Sequence, residues 1–244
     1  MGQPLKVSLS GIDGSGKSTS ASAVSRRLAD EGYTVVHALR RAFVDRPGRE
    51  REYFADRVHG LVDRAHQAFD RRRSRTGVGL INLAYARLWR AIEARAVRRF
   101  RPHVVLNGRS AVLDPAVYAP FYFPMTGALP AAWRVSLSAF IVRPEPADLR
   151  FLLDLPATEA HERILARIVA ERREGAADRE KWTHMHETPA ELAGLRAGFR
   201  RCASVMPGPI IQLDAGRPSA ALVEEIIEKI RSRLPGEATG AAQR

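Results

Sequence analysis

Residues 5–19 read Leu5-Lys6-Val7-Ser8-Leu9-Ser10-Gly11-Ile12-Asp13-Gly14-Ser15-Gly16-Lys17-Ser18-Thr19, and this stretch decides the fold. A short apolar run, Leu5 to Ser10, ends at a glycine loop. From Lys17 to Glu31 a helical pattern takes over, and Gly32 stops it. Strand, glycine loop and helix in that order make a phosphate cradle: Gly11, Gly14 and Gly16 permit the close backbone approach that a Cβ would block, so successive N–H groups turn toward phosphate oxygens. Lys17 supplies a point charge to the β and γ phosphates, and Ser18 offers its hydroxyl to Mg²⁺. The positive end of the helix adds to the attraction. These residues, with Ser15 and Thr19, are the expected contacts to ATP. An acid in such a cradle repels phosphate, so Asp13 either faces another group, such as a sugar hydroxyl of an acceptor, or closes an Asx turn.

Outward from the cradle, apolar strands alternate with amphipathic helices, the pattern of βαβ units and a parallel sheet. Strands are expected at Tyr33 to Ala38, His103 to Leu106, Leu149 to Leu155 and Pro209 to Leu213. Helices are expected over 49–73, 79–101, about 155–175, about 188–205, and from a Ser219 cap to about Arg233. Thr76-Gly77-Val78-Gly79 reads as a breaker. Asp114 to Pro130, with its four prolines and with Tyr118, Phe121, Tyr122 and Phe123, reads as a loop. Residues 1–234 are expected to form one domain, and 235–244, which lack apolar periodicity, a disordered tail.

The 244 residues carry a formal net charge of +12, almost wholly from arginine, since the lysines are only Lys6, Lys17, Lys181 and Lys229. Such a field draws phosphorylated substrates as readily as nucleic acid. The clusters Arg71-Arg72-Arg73 with Arg75, Arg98-Arg99-Arg101 and Arg172-Arg173 lack interleaved aromatics, so they read as solvated faces and phosphate contacts rather than a nucleic-acid surface. His161, His184 and His186 lack the helical pairing with a glutamate that a metal hydrolase requires. The N-terminus has no signal-peptide pattern and no stretch has the length of a membrane span. With Cys202 as the single cysteine, a cytoplasmic setting is the expectation.

Five segments, in order, resemble the thymidylate kinase family of nucleoside monophosphate kinases. They are the loop from Gly11 to Thr19, Leu83-Ala84-Tyr85-Ala86-Arg87, Val104-Val105-Leu106-Asn107-Gly108-Arg109, Leu153-Asp154-Leu155-Pro156 with Glu162 to Arg167, and Gln212-Leu213-Asp214-Ala215-Gly216-Arg217. The resemblance implies a three-layer α/β P-loop fold, with a five-stranded parallel sheet in the order 2-3-1-4-5 flanked by helices. It implies transfer of the γ-phosphoryl of ATP, with Mg²⁺, to a (deoxy)nucleoside monophosphate. Another small-molecule acceptor, or an ATP-binding protein with reduced catalysis, stands as the alternative.

Such a reaction needs charge neutralisation and alignment more than covalent chemistry. Arg109, and Arg40 or Arg41, are candidates for the acceptor phosphate, each otherwise a surface ion pair. The resemblance adds Leu83, Arg87 and Tyr118 on the acceptor side and Arg167 on the ATP side. It also implies a lid at about 168–186 that brings Arg172, Arg173 or Arg179 to the transferring phosphoryl. A homodimer follows by family analogy alone. Two departures stand out. Gly108 occupies the place of an aspartate that helps hold Mg²⁺, so Asn107 or another acid such as Asp114 substitutes, or metal binding is weakened. Leu83 replaces the aromatic that stacks on the base.

Overall fold

The computed structural model describes residues 3–37, 42–46, 49–52, 61–62, 64–65, 68–69, 72, 74–143, 146–173 and 188–234. Among the described residues seven strands form one sheet: β1 (Leu5–Ser10), β2 (Val35–His37), β3 (Ala42–Arg46), β4 (Arg49–Glu52), β5 (Val104–Asn107), β6 (Leu149–Asp154) and β7 (Ile211–Asp214). Their spatial order is β4-β3-β2-β5-β1-β6-β7. The run β2-β5-β1-β6-β7 is parallel throughout, which is the expected 2-3-1-4-5 order. The expected count of five is corrected to seven, because β3 and β4 add an antiparallel pair beside β2. β4 is the sequence Arg-Glu-Arg-Glu. It stands where the helix over 49–73 was expected to begin. A run of alternating charges has no apolar period to betray it, and charges suit an edge strand.

Residues 61–62, 64–65 and 68–69 are helical, and the helices whose bounds fall among the described residues are α1 (Lys17–Asp30), α2 (Arg75–Phe100), α3 (Leu113–Tyr122), α4 (Ala131–Val142), α5 (Ala157–Arg173), α6 (Pro189–Ala203) and α7 (Ser219–Arg231). Thr188 caps α6 in a reciprocal capping box with Glu191. Ser219 does not cap α7. It is the first helical residue, Pro218 precedes it, and no side chain caps the end.

Two further expectations are overturned by packing. The breaker at 76–79 lies inside α2, where Gly77 and Gly79 lack the Cβ that would meet the Phe69 ring at 2.1 Å and Tyr122 Cβ at 2.6 Å. The stretch from Asp114 is largely helix α3, followed by a 3₁₀ turn over Pro124–Ala128. Pro115 sits in the first turn, where its missing N–H costs little. Pro120 is interior and cannot donate to the Ala116 carbonyl. The buried Arg134 of α4 donates to that carbonyl instead, at 3.4 Å.

The core runs between the sheet and the helices. Phe151, Phe199, Leu9, Leu106, Leu28 and Ile226 are fully buried, each side chain contributing about 1.5–3 kcal/mol. A smaller cluster of Val36, Phe43, Ala96 and Val105 closes the β3 side, with Phe43 stacked on Phe100 at 4.3 Å. No helix among the described residues is long and apolar enough to cross a membrane. β1 and β5 are central neighbours, so the loops after Ser10 and Asn107 emerge side by side at the carboxyl edge, where parallel sheets place ligands.

Candidate active site

The glycine loop spans the gap between β1 and α1. Gly14 and Gly16 lie in the left-handed region, at φ 81° and 85°. A Cβ on Gly14 would stand 2.4 Å from the Ala160 carbonyl of α5, whereas one on Gly16 would meet nothing within 4 Å. The loop is therefore packed on one side and open on the other, as a cradle must be.

Lys17 is buried and donates to the carbonyls of Gly11 at 2.8 Å and Ile12 at 2.7 Å. Its ammonium lies 3.6 Å from Asp13. Burial pushes its pKa down, while Asp13 and Asp114 oppose that fall. Ser18 and Thr19 are exposed at the helix start. Ser15 Oγ is buried, with no hydrogen-bond partner among the described residues. A buried hydroxyl beside an open cradle is unfinished business that a polar ligand can complete.

Asp13 also accepts from the Tyr118 hydroxyl at 3.4 Å. Tyr118 lies on α3 with Asp114 four residues before it and Tyr122 four after, so the three share one helix face. Burial raises the pKa of Tyr118 well above 10, and Asp13 and Asp114 push the same way. Burial likewise raises that of Tyr122, with Arg109 and Asn82 of α2 opposing the rise.

Asp114 is 8% exposed. Its Oδ2 accepts from Ser10 Oγ at 3.0 Å and from the Ser110 N–H at 3.0 Å. Burial raises its pKa, with Arg109 and Lys17 holding it down. Arg109 follows β5 and keeps an open surface while protein surrounds it on several sides. Burial works against its charge, and Asp13 and Asp114 outweigh that to raise its pKa. Two cations, two carboxylates and two tyrosines therefore meet at one end of the sheet.

Of the residues singled out from the sequence, Lys17, Asp13, Arg109 and Tyr118 are brought together. Asn107, at the end of β5, lies beside the partly buried Glu93 of α2, whose pKa burial raises and Asn107 holds down. Leu83 is half-buried on α2, and Arg87, one turn on, is exposed. Arg167 is exposed on α5, two turns beyond the Ala160 that abuts Gly14. Arg40, Arg41 and Arg179, with most of the expected lid at 168–186, lie outside the described residues, as do the side chains of Arg172 and Arg173 at the end of α5. The expected tail at 235–244 also lies outside them.

Sequence reasoning passed over Tyr122, Glu93 and Asn82. The spacing 114-118-122 was the available signal, and the prolines hid it. It also passed over the anchor at the end of β6, where Asp154 receives Arg196 on both oxygens and is joined by Arg200 and Gln212.

No protein-family model matches the chain. A probable thymidylate kinase from Thermococcus kodakarensis is 30% identical over 166 residues, covering 67% of this chain and 72% of that protein. Another, from Thermococcus gammatolerans, is 28% identical over 173 residues, covering 67% and 71%. Among solved structures, a deoxyadenosine kinase from M. mycoides with bound dCTP superposes with a TM-score of 0.57 at 14% identity, covering 93% of this chain and all of that one. A second structure of that enzyme, with dCMP and dCDP, gives 0.58 at 15% identity. At such identities the structural likeness supports the fold alone.

Proposed function

The chain belongs to the thymidylate kinase family, and from that premise we propose that it transfers the γ-phosphoryl of ATP to the phosphate of a (deoxy)nucleoside monophosphate. The observation that carries the reading is the meeting of Lys17 and Arg109 at the carboxyl edge of β1 and β5, close enough for each charge to bear on the other. Two polyanions must be brought into line, and two cations from adjacent strand ends suit that task.

In this reading Lys17 exchanges the carbonyls of Gly11 and Ile12 for the β and γ phosphates, and the loop N–H groups complete the cradle with Ser15. Arg109 holds the acceptor phosphate. Asp13, facing Tyr118, is directed toward the acceptor rather than toward ATP. Arg40 or Arg41 assist at the acceptor, Leu83 and Arg87 border it, Arg167 lies toward ATP, and one of Arg172, Arg173 and Arg179 arrives when a lid at about 168–186 closes and excludes water.

The residues present suit Mg²⁺: Ser18 offers an exposed hydroxyl at the start of α1, and a buried carboxylate, Asp114, lies near Lys17. The ion would neutralise phosphate charge there. The relatives are nucleotide kinases, so other small-molecule acceptors and a non-catalytic ATP binder are not favoured. A cytoplasmic location and a homodimer complete the proposal, the latter by family analogy.

The test is chromatographic detection of nucleoside diphosphates from ATP and a panel of ribo- and deoxynucleoside monophosphates. Formation of at least one supports the reading. ATP binding with no diphosphate formed from any of them would contradict it.

A further inference from the structure

The resemblance read from the sequence implies an acid directly before the strand-end arginine, and here that place is the buried Gly108. On β5 itself the preceding residue is Asn107, which carries no charge and lies beside Glu93 of α2. Among the described residues, the acids whose charge bears on Lys17 are Asp13 and Asp114. Asp13 is engaged with Lys17 and with Tyr118.

Asp114 differs in three respects. It comes from α3 rather than from a strand, it is 8% exposed, and it hangs from Ser10, the last residue of β1 before the cradle. Both of its hydrogen bonds go to Oδ2. Among the described residues Oδ1 accepts no bond. A carboxylate fixed by one oxygen beside Lys17 and Arg109 keeps the other oxygen as an acceptor that the water shell of a cation can use.

Its bond to the Ser110 N–H also serves the start of α3, where Ser110 Oγ accepts from Leu113 N at 3.1 Å. Capping alone would account for that bond but not for the one to Ser10, 104 residues away in sequence. Nor would it require a buried acid facing the two cations of the site.

We infer that Asp114 supplies, from helix α3, the carboxylate that orders Mg²⁺ and its water at the ATP phosphates, in place of the acid missing at position 108. The inference rests on the phosphotransferase reading above. Its role is that of an outer carboxylate, with Ser10 as the donor that aims it. The same substitution of source, from strand end to helix, frees position 108 to be glycine.

Mn²⁺ reports on such a site directly, through the loss of its free-ion electron paramagnetic resonance signal. Mn²⁺ is titrated into the intact chain saturated with a non-hydrolysable ATP analogue, for wild type, Asp114→Asn and Ser10→Ala, with metal-free analogue affinity and thermal unfolding measured alongside. Asp114→Asn is expected to weaken Mn²⁺ about 10–100-fold, as loss of an outer-shell partner does, with metal-free affinity changed less than threefold. Ser10→Ala, which keeps every charge, is expected to show a smaller loss in the same direction. Unchanged Mn²⁺ affinity in Asp114→Asn overturns the inference and leaves the kinase reading standing. If that variant does not fold, unchanged affinity in Ser10→Ala overturns it. Wild type that binds neither the analogue nor Mn²⁺ with it overturns the kinase reading and this inference together.

Discussion

The Lys17 ammonium lies 3.6 Å from the Asp13 carboxylate, four residues earlier in the same loop. With the carbonyls of Gly11 and Ile12 also accepting from it, the cradle satisfies its own cation. Asp13 thereby has two duties, since Tyr118 on α3 donates to its other oxygen. Asp13→Asn should remove an anion from beside the phosphates while weakening the acceptor side. The expected result is a fall of about 10–100-fold in kcat/KM for the acceptor, the size of a lost charged hydrogen bond, with ATP affinity unchanged or tighter. Steady-state kinetics with an ATP titration decide it. An equal loss on both sides would place Asp13 in ATP binding instead.

Gly14 and Gly16 share a backbone conformation and differ in what surrounds them. Gly14→Ala adds a clash with Ala160 to left-handed strain of about 1–2 kcal/mol, so it should unfold at clearly lower denaturant. Gly16→Ala carries the strain alone, because its Cβ points into open space. If that space is for phosphate, Gly16→Ala should fold well and bind ATP at least tenfold more weakly. Chemical denaturation and nucleotide titration of the pair check this. Normal ATP binding by Gly16→Ala would count against the cradle.

Arg109→Lys retains the charge that Asp13 and Asp114 face but gives up the planar fork. It should leave ATP affinity and thermal stability close to wild type and raise the acceptor KM or lower kcat, with kcat/KM down about tenfold or more. A parallel fall in ATP affinity would remove Arg109 from the acceptor role.

The anchor at the end of β6 predicts a pH effect on stability. Arg196 donates to Asp154 through Nε at 2.6 Å and Nη2 at 2.9 Å, holding its pKa down at about 2 against an ordinary 3.8, with Arg200 helping and burial opposing. A pKa depressed by folding adds stability that is complete above the unfolded pKa and is lost as pH falls through the folded one. The contribution is about 2 kcal/mol at neutral pH, less whatever solvent screens at the half-exposed Arg200. Urea unfolding of wild type and Asp154→Asn should differ by about that amount at pH 6 and converge between pH 4 and pH 2. A difference independent of pH would show that packing, not charge, is at stake.

What could be read from the sequence was what local chemistry dictates. The glycine loop between an apolar strand and a helix set the first βαβ unit, and the apolar runs located the parallel strands, because strands buried on both faces announce themselves; their order came from the resemblance. Three features stayed hidden because distant residues decide them. The Ala116 carbonyl freed by Pro120 is answered by Arg134 from another helix, which lets a proline-rich stretch become α3. Gly77 and Gly79 are tolerated in α2 because aromatic rings occupy the space a Cβ would take. β4 exists only through its pairing with β3. In the site, Lys17, Asp13, Arg109 and Tyr118 could be named from motifs and resemblance. The stripe of Asp114, Tyr118 and Tyr122 could not be read as a face until α3 was known to be a helix.

The central claim is that Lys17 and the loop around it serve phosphoryl transfer to a nucleotide. Its most direct measurement is the initial rate of nucleoside diphosphate formation from ATP and dTMP, or the best acceptor in the panel, for wild type and Lys17→Ala at matched folded concentration. The account predicts turnover by wild type and a loss of at least a hundredfold in the variant. Equal rates for the two proteins, or no phosphoryl transfer by wild type to any nucleoside monophosphate, would contradict it.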